Sequence, residues 1–170
     1  MDFYYAMTNY HIICCLIHKM CLNKNKAALY VSTYLRCNQP EIVERIKDSE
    51  IFEEVYFYDE LEYTKTEKKM TSNELSKEIN RICMNVDKSL GNTLKNANNI
   101  YLCSDFYSIG LYLIIKKIKY NFFEDGCGTI SKPYMPLRII EKENPNRAAI
   151  VKKVKAIQFG LINPDELVRI

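Results

Sequence analysis

Apolar and polar residues follow one another along this chain in blocks, and the block lengths alternate between those of strands and those of helices. Five short runs are apolar with little alternation: Phe3–Met7, Ala27–Thr33, Val55–Tyr58, Ile100–Cys103 and Tyr120–Phe123. Strands of parallel sheets read this way because both of their faces are covered. Between them lie longer segments with helical spacing. Thr8-Asn9 supplies a turn and cap for a helix over Tyr10–Leu22, apolar nearly all round and therefore expected to be largely buried. Asn38-Gln-Pro40 opens a short helix whose inner stripe is Ile42, Val43 and Ile46. Thr71-Ser-Asn-Glu74 is a capping box, and behind it Leu75, Ile79, Ile82, Val86, Leu90 and Leu94 recur at steps of three and four. Ser104-Asp105 is expected to cap a helix over Phe106–Lys117, and a basic helix over Arg147–Phe159 would end at Gly160. Asp59–Lys69 reads as a loop or a frayed helix start, and Lys132–Pro136 and Asn144–Asn146 read as irregular loop.

Strand and helix alternate through five strands, which predicts an α/β fold with right-handed crossovers. The expected architecture is a Rossmann-like parallel sheet of about five strands with helices on both faces, in the order 3-2-1-4-5. Residues 1–146 would form this domain, and 147–170 a basic helix or linker. In that order the first and fourth strands are neighbours at the switch point, where ligands bind beyond the carboxyl ends. The crevice would be lined by Thr8, Asn9, Tyr10 and His11, by Ser104 and Asp105, and by Glu124, Asp125 and Gly126.

Composition narrows the classes. The chain has 170 residues, 48% of them hydrophobic, and 13 tyrosines, enough for a sizeable core. A net charge of +3 gives no support for nucleic acid as a partner. Seven cysteines, an odd number without a C-x-x-C pair, argue for free thiols and against zinc, so no metal site is expected. No basic leader precedes an apolar run, and Ile12–Ile17 is far shorter than the about 18 residues a span requires. The expected location is cytoplasmic, with peripheral contact at the inner face of the membrane left open. Lys152, Lys153 and Lys155 could attract anionic lipid or an acidic glycan, although a solvated helix face explains them more simply.

The chemistry concentrates in Tyr120-Asn-Phe-Phe-Glu-Asp-Gly-Cys-Gly128. Two carboxylates follow an aromatic strand and precede Gly126 and Gly128, two of the chain's five glycines. A carboxylate at a strand end can take a proton from a bound hydroxyl, and glycine permits a sharp turn or close approach. The plain alternative is a solvated acidic turn. Cys127 as a nucleophile would need a base, and His11 and His18 stand beside another strand. The first turn, Met7-Thr-Asn-Tyr-His11, contains no glycine, which disfavours a dinucleotide fold; no phosphate-binding loop motif occurs either. No cofactor is expected.

A short hydrophobic strand followed by Thr8-x-Tyr10-His11 at the head of an apolar helix, with Glu124-Asp125-Gly126 after a later strand, resembles the bacterial sialyltransferases. These are the lipooligosaccharide, capsular and polysialic acid enzymes of GT-B fold. The resemblance implies a surface glycan as acceptor, CMP-sialic acid as donor substrate, no metal, and Asp125 or Glu124 as general base. The substrate-side residues it implies are Thr8, Asn9, Tyr10, His11, Ser104, Asp105, Gly126 and Gly128. The family's His-Pro motif, which contacts the CMP moiety, is missing, since neither His11 nor His18 precedes a proline. The chain is therefore expected to be the N-terminal, acceptor-side half of such an enzyme, with the donor held by a further domain and little activity alone. A homodimer is left open. The rival expectation is a stand-alone flavodoxin-like binding domain without catalysis. His11, Asn9 and Ser104-Asp105 also have plain readings, as a packed histidine and helix caps.

Overall fold

The computed structural model describes residues 1–32, 39–60, 68–123 and 135–161. Five strands, β1 (Asp2–Ala6), β2 (Ala27–Ser32), β3 (Glu54–Tyr58), β4 (Ile100–Leu102) and β5 (Asn121–Phe122), form one all-parallel sheet in the order β3-β2-β1-β4-β5. The helices are α1 (Asn9–Cys21), α2 (Gln39–Asp48), α3 (Ser72–Asn96), α4 (Ser108–Ile115), α5 (Met135–Glu143) and α6 (Pro145–Gln158). This is the Rossmann-like α/β order that the alternation predicts. The described residues fall into two compact units: those within Met1–Glu60, Asn92–Ser104 and Tyr120–Asp125, and those within Leu61–Gly91, Asp105–Lys119 and Gly126–Ile170.

The first unit is the sheet with α1 and α2. Every residue of β1 and β2 is buried, as a central parallel strand requires. Tyr4 pairs in register with Leu29 on one side and Tyr101 on the other. Its ring stacks on Tyr101 at 4.6 Å and meets Phe52 edge-on at 5.2 Å. With Ala6, Leu29, Val31 and Val55 it forms a core closed by Ile12 and Cys15 of α1 and by Val43 and Ile46 of α2. Each of the Leu, Val and Ile side chains contributes about 1.5–3 kcal/mol of transfer free energy.

Two expectations fail in this unit. Tyr120–Phe123 is not a buried strand: β5 is two residues long, both exposed, with Phe122 at 48%. It pairs with β4 alone and ends the sheet, so one flank meets no strand among the described residues. Nor is α1 buried all round. Only His11, Ile12 and Cys15 are buried, because a straight helix lays one stripe on a sheet and turns the rest away.

The second unit is helical. The capping box forms as expected: the Thr71 amide donates to Glu74 Oε2 at 2.7 Å and the Glu74 amide to Thr71 Oγ1 at 3.4 Å. Ile79, Ile82, Val86 and Leu90 are buried along α3, as its periodicity predicts. All eight residues of α4 are buried. The helix begins at Ser108, later than the expected Phe106, and neither Ser104 nor Asp105 is its N-cap; Tyr107 is, without a side-chain bond. A buried carboxylate needs a counter-charge, and Asp105 finds one in the Lys155 ammonium. Gly110 is required here, since a Cβ would lie 2.3 Å from Asp105 Cα. Met135 and Pro136, expected in a loop, begin α5. Asn144, also expected in a loop, caps α6 by accepting from the Arg147 amide at 3.0 Å. The lysines of α6 are not simply solvated: Lys152 meets Glu141 at 2.7 Å and Lys153 meets Ser76 Oγ at 2.9 Å.

Candidate functional site at the carboxyl edge of the sheet

The switch point falls between β1 and β4, with Tyr5 opposite Leu102 in the parallel register. From there β1 leads through α1 to β2, and β4 leads to β5 on the opposite flank of the order. The residues that leave the two strands, Met7 onward and Cys103 onward, therefore emerge side by side. The Cys103 thiol lies 4.0 Å from the His11 carbonyl oxygen, which ties the two exits together.

Thr8 caps α1 from an extended conformation, and its hydroxyl accepts from the His11 amide at 3.2 Å. His11 is buried, and its Nδ1 accepts from the Met7 amide at 3.3 Å. That bond folds the imidazole back onto its own turn, so His11 serves as a packed, capping histidine. Asn9 and Tyr10 are exposed on the first turn of α1. Ser104 is buried just past β4. Asp105 belongs to the helical unit, where Lys155 engages it while also standing 5.2 Å from the Phe106 ring and 3.0 Å from Gln158 Oε1. Of the predicted cluster, the first unit thus gathers Thr8, Asn9, Tyr10, His11 and Ser104. Glu124, Asp125, Gly126 and Gly128 lie outside the described residues, as does Cys127.

The residue just before the acidic pair is well held. The Phe123 amide donates to the Leu102 carbonyl at 2.7 Å, and its ring stacks on Tyr101 at 5.5 Å and lies 4.9 Å from His18. His18, for which sequence offers only a surface or packing role, packs in this aromatic group and shares a 2.7 Å hydrogen bond with the Tyr4 hydroxyl. Burial lowers its pKa, with the Asp2 charge acting weakly in the other direction.

A second polar group sits on the same edge. The Tyr5 hydroxyl donates to the Glu60 carboxylate, both residues being buried, and Ser32 and Tyr58 adjoin it at the ends of β2 and β3. Burial, followed by the Glu60 charge, holds the Tyr5 phenol well above its usual range. Sequence reasoning passed over Tyr5 because a tyrosine inside a strand reads as core. The available signal was Tyr58-Asp59-Glu60, an acidic pair at a strand exit.

Among the described residues no group of three or more His, Cys, Asp or Glu is placed to hold a metal ion. The described cysteines are free, and burial followed by a hydrogen bond to Cys103 raises the Cys15 thiol well above its usual pKa, which makes it inert. No described helix is long and apolar enough to cross a membrane. Comparison of the chain with protein-family models, with curated proteins and with solved structures finds no match.

Proposed function

We propose that the chain is the acceptor-side part of a glycosyltransferase of the sialyltransferase type, acting on a surface glycan with CMP-sialic acid as donor. The observation that carries this reading is the strand order. It sets the exits of β1 and β4 side by side and β5 next to them, and Glu124-Asp125-Gly126 follows β5 after one residue, Phe123. The first turn supports it from another side. Thr8 closes that turn with a side-chain cap, so the backbone offers no glycine cradle for a pyrophosphate.

In this reading Asp125, or Glu124 beside it, takes the proton of an acceptor hydroxyl. That oxygen then bonds to the anomeric carbon of the donor sugar, the bond to the CMP phosphate breaks, and CMP leaves with the electron pair. The base must stand about 2.6–3.2 Å from the hydroxyl in the bound complex. Thr8, Asn9, Tyr10 and Ser104 would orient the acceptor, and a further domain would hold the nucleotide. Such an enzyme works in the cytoplasm, where CMP-activated sugars are used.

The test is transfer from CMP-sialic acid to a panel of galactosides and sialosides, using the protein with whatever sequence its gene encodes beyond residue 170. Asp125→Asn and Glu124→Gln are run beside the parent. Activity that one of them abolishes while the circular dichroism stays unchanged is the expected result and names the base. Equal activity in all three removes the acidic turn from the mechanism. A folded parent that binds a glycan but transfers nothing returns the protein to the binding-domain reading.

A further inference from the structure

The outward face of α1 is built from large apolar side chains. Tyr10, Ile13, Ile17 and Met20 are 46%, 52%, 57% and 55% exposed, and Leu22 just past the helix is 76% exposed. Steps of three and four residues place the first four on one stripe. Lys19, the one lysine of α1, is not on it: its ammonium is held by the Asn25 carbonyl at 2.6 Å and stands 4.0 Å from Glu53. A surface helix normally turns polar residues to water, and here the pattern is reversed. Five large side chains, each 46% exposed or more, present on the order of 500 Å² of largely apolar surface, in the size range of patches that are often functional.

We infer that this face of α1 docks on an anionic lipid surface, with the helix lying in the headgroup plane. Charge selects this occupant. Just past the stripe in sequence come Lys24, whose ammonium donates to the Met20 carbonyl at 2.9 Å, and Lys26, both exposed. The first turn of α1 carries no acidic residue. Two copies paired in parallel would bring Lys24 against Lys24. Paired antiparallel, each Lys24 would face the positive end of the other helix dipole, with no acid in that first turn to receive it. An anionic headgroup layer neutralises these cations while taking up the apolar stripe. The contact is peripheral, since 13 residues fall short of the about 20 that a span needs. Tyr10 heads the stripe and also stands at the carboxyl edge of the sheet, so docking would bring that edge to a lipid-linked acceptor. This last consequence rests on the glycosyltransferase reading; the lipid contact does not.

Vesicle flotation tests the contact without any transfer assay. The chain is mixed with vesicles of phosphatidylcholine alone or of phosphatidylcholine with phosphatidylglycerol. It should float with the anionic vesicles and far less with the neutral ones. A triple variant, Ile13→Ser with Ile17→Ser and Met20→Ser, should lose at least about tenfold in partitioning, since each change removes several methylene equivalents from the buried face. Lys24→Glu with Lys26→Glu should weaken anionic binding and its salt dependence. All five positions are exposed, and circular dichroism checks that the fold is kept. A parent that does not float, a triple variant that floats equally, or equal binding to both vesicle types overturns the proposal. So does a dimer in sedimentation velocity that the triple variant abolishes in a parent that ignores lipid, which would assign the stripe to a second copy.

Discussion

Two buried carboxylates stand at opposite ends of the same sheet, and their partners differ in kind. At the amino edge Asp2, 1% exposed, accepts from the side-chain amides of Asn23 at 2.8 Å, Asn25 at 3.2 Å and Asn99 at 3.1 Å. At the carboxyl edge Glu60, 9% exposed, accepts from the phenol of Tyr5, with Ser32 beside it and Thr8 and Ser104 at the neighbouring strand exits. Amide donors have one protonation state and fixed geometry, so the Asp2 cluster is a frame that ties β1 to the turns before β2 and β4. Hydroxyls both donate and accept, and they can exchange a protein partner for a bound one. The contrast teaches where polar groups serve structure and where they remain usable, and it agrees with the tendency of open α/β sheets to bind at their carboxyl edge.

The strongest way to break this comparison is Asp2→Ala. It takes the shared acceptor from three amides, of which Asn23 is buried, and should cost about 2–3 kcal/mol in urea unfolding, with acceptor binding unchanged; a loss under about 1 kcal/mol would deny the frame role. Glu60→Gln keeps a neutral acceptor for Tyr5 and should cost only about 1 kcal/mol, while transfer or glycan binding falls about tenfold or more through mispositioning. A stability loss equal to that of Asp2→Ala, with binding intact, would make the two edges alike. Thr8→Ala removes the cap of α1 and should cost about 1 kcal/mol or less, read as a small drop in thermal midpoint. The smallest effect concerns pH. Because the folded pKa of His18 lies below its unfolded value near 6.5, the unfolded chain binds the extra proton first. Stability from this group is complete above pH 6.5 and is lost as pH falls through the lower folded value. His18→Phe should flatten that slope in denaturation curves measured across the window; an unchanged slope would place the titration elsewhere.

Much of the fold was legible in the sequence. The apolar runs of β1 and β2, the stripe Ile79, Ile82, Val86, Leu90 and the pair Thr71 and Glu74 each depend on interactions within a few residues or on burial that any covered strand requires. The strand order followed, because short right-handed connections leave few topologies for this alternation. Part of the candidate edge was legible too: Thr8, Tyr10, His11 and Ser104 sit at strand exits, and strand exits can be counted.

What tertiary structure decided was partnership. Asp105 has the spacing of a cap, yet it is paired with Lys155, fifty residues onward, because burial makes a counter-charge worth more than a helix end. Tyr5 and Glu60 have no common motif and meet only because β1 and β3 lie in one sheet with β2 between them. Ile13, Ile17 and Met20 carry the same apolar signature as the core, and only the placement of α1 on the sheet shows which side of it is left facing outward. Local propensity and periodicity act within a few residues, so the sequence determined the elements. Burial and charge compensation join residues far apart along the chain, so the structure determined which residues meet.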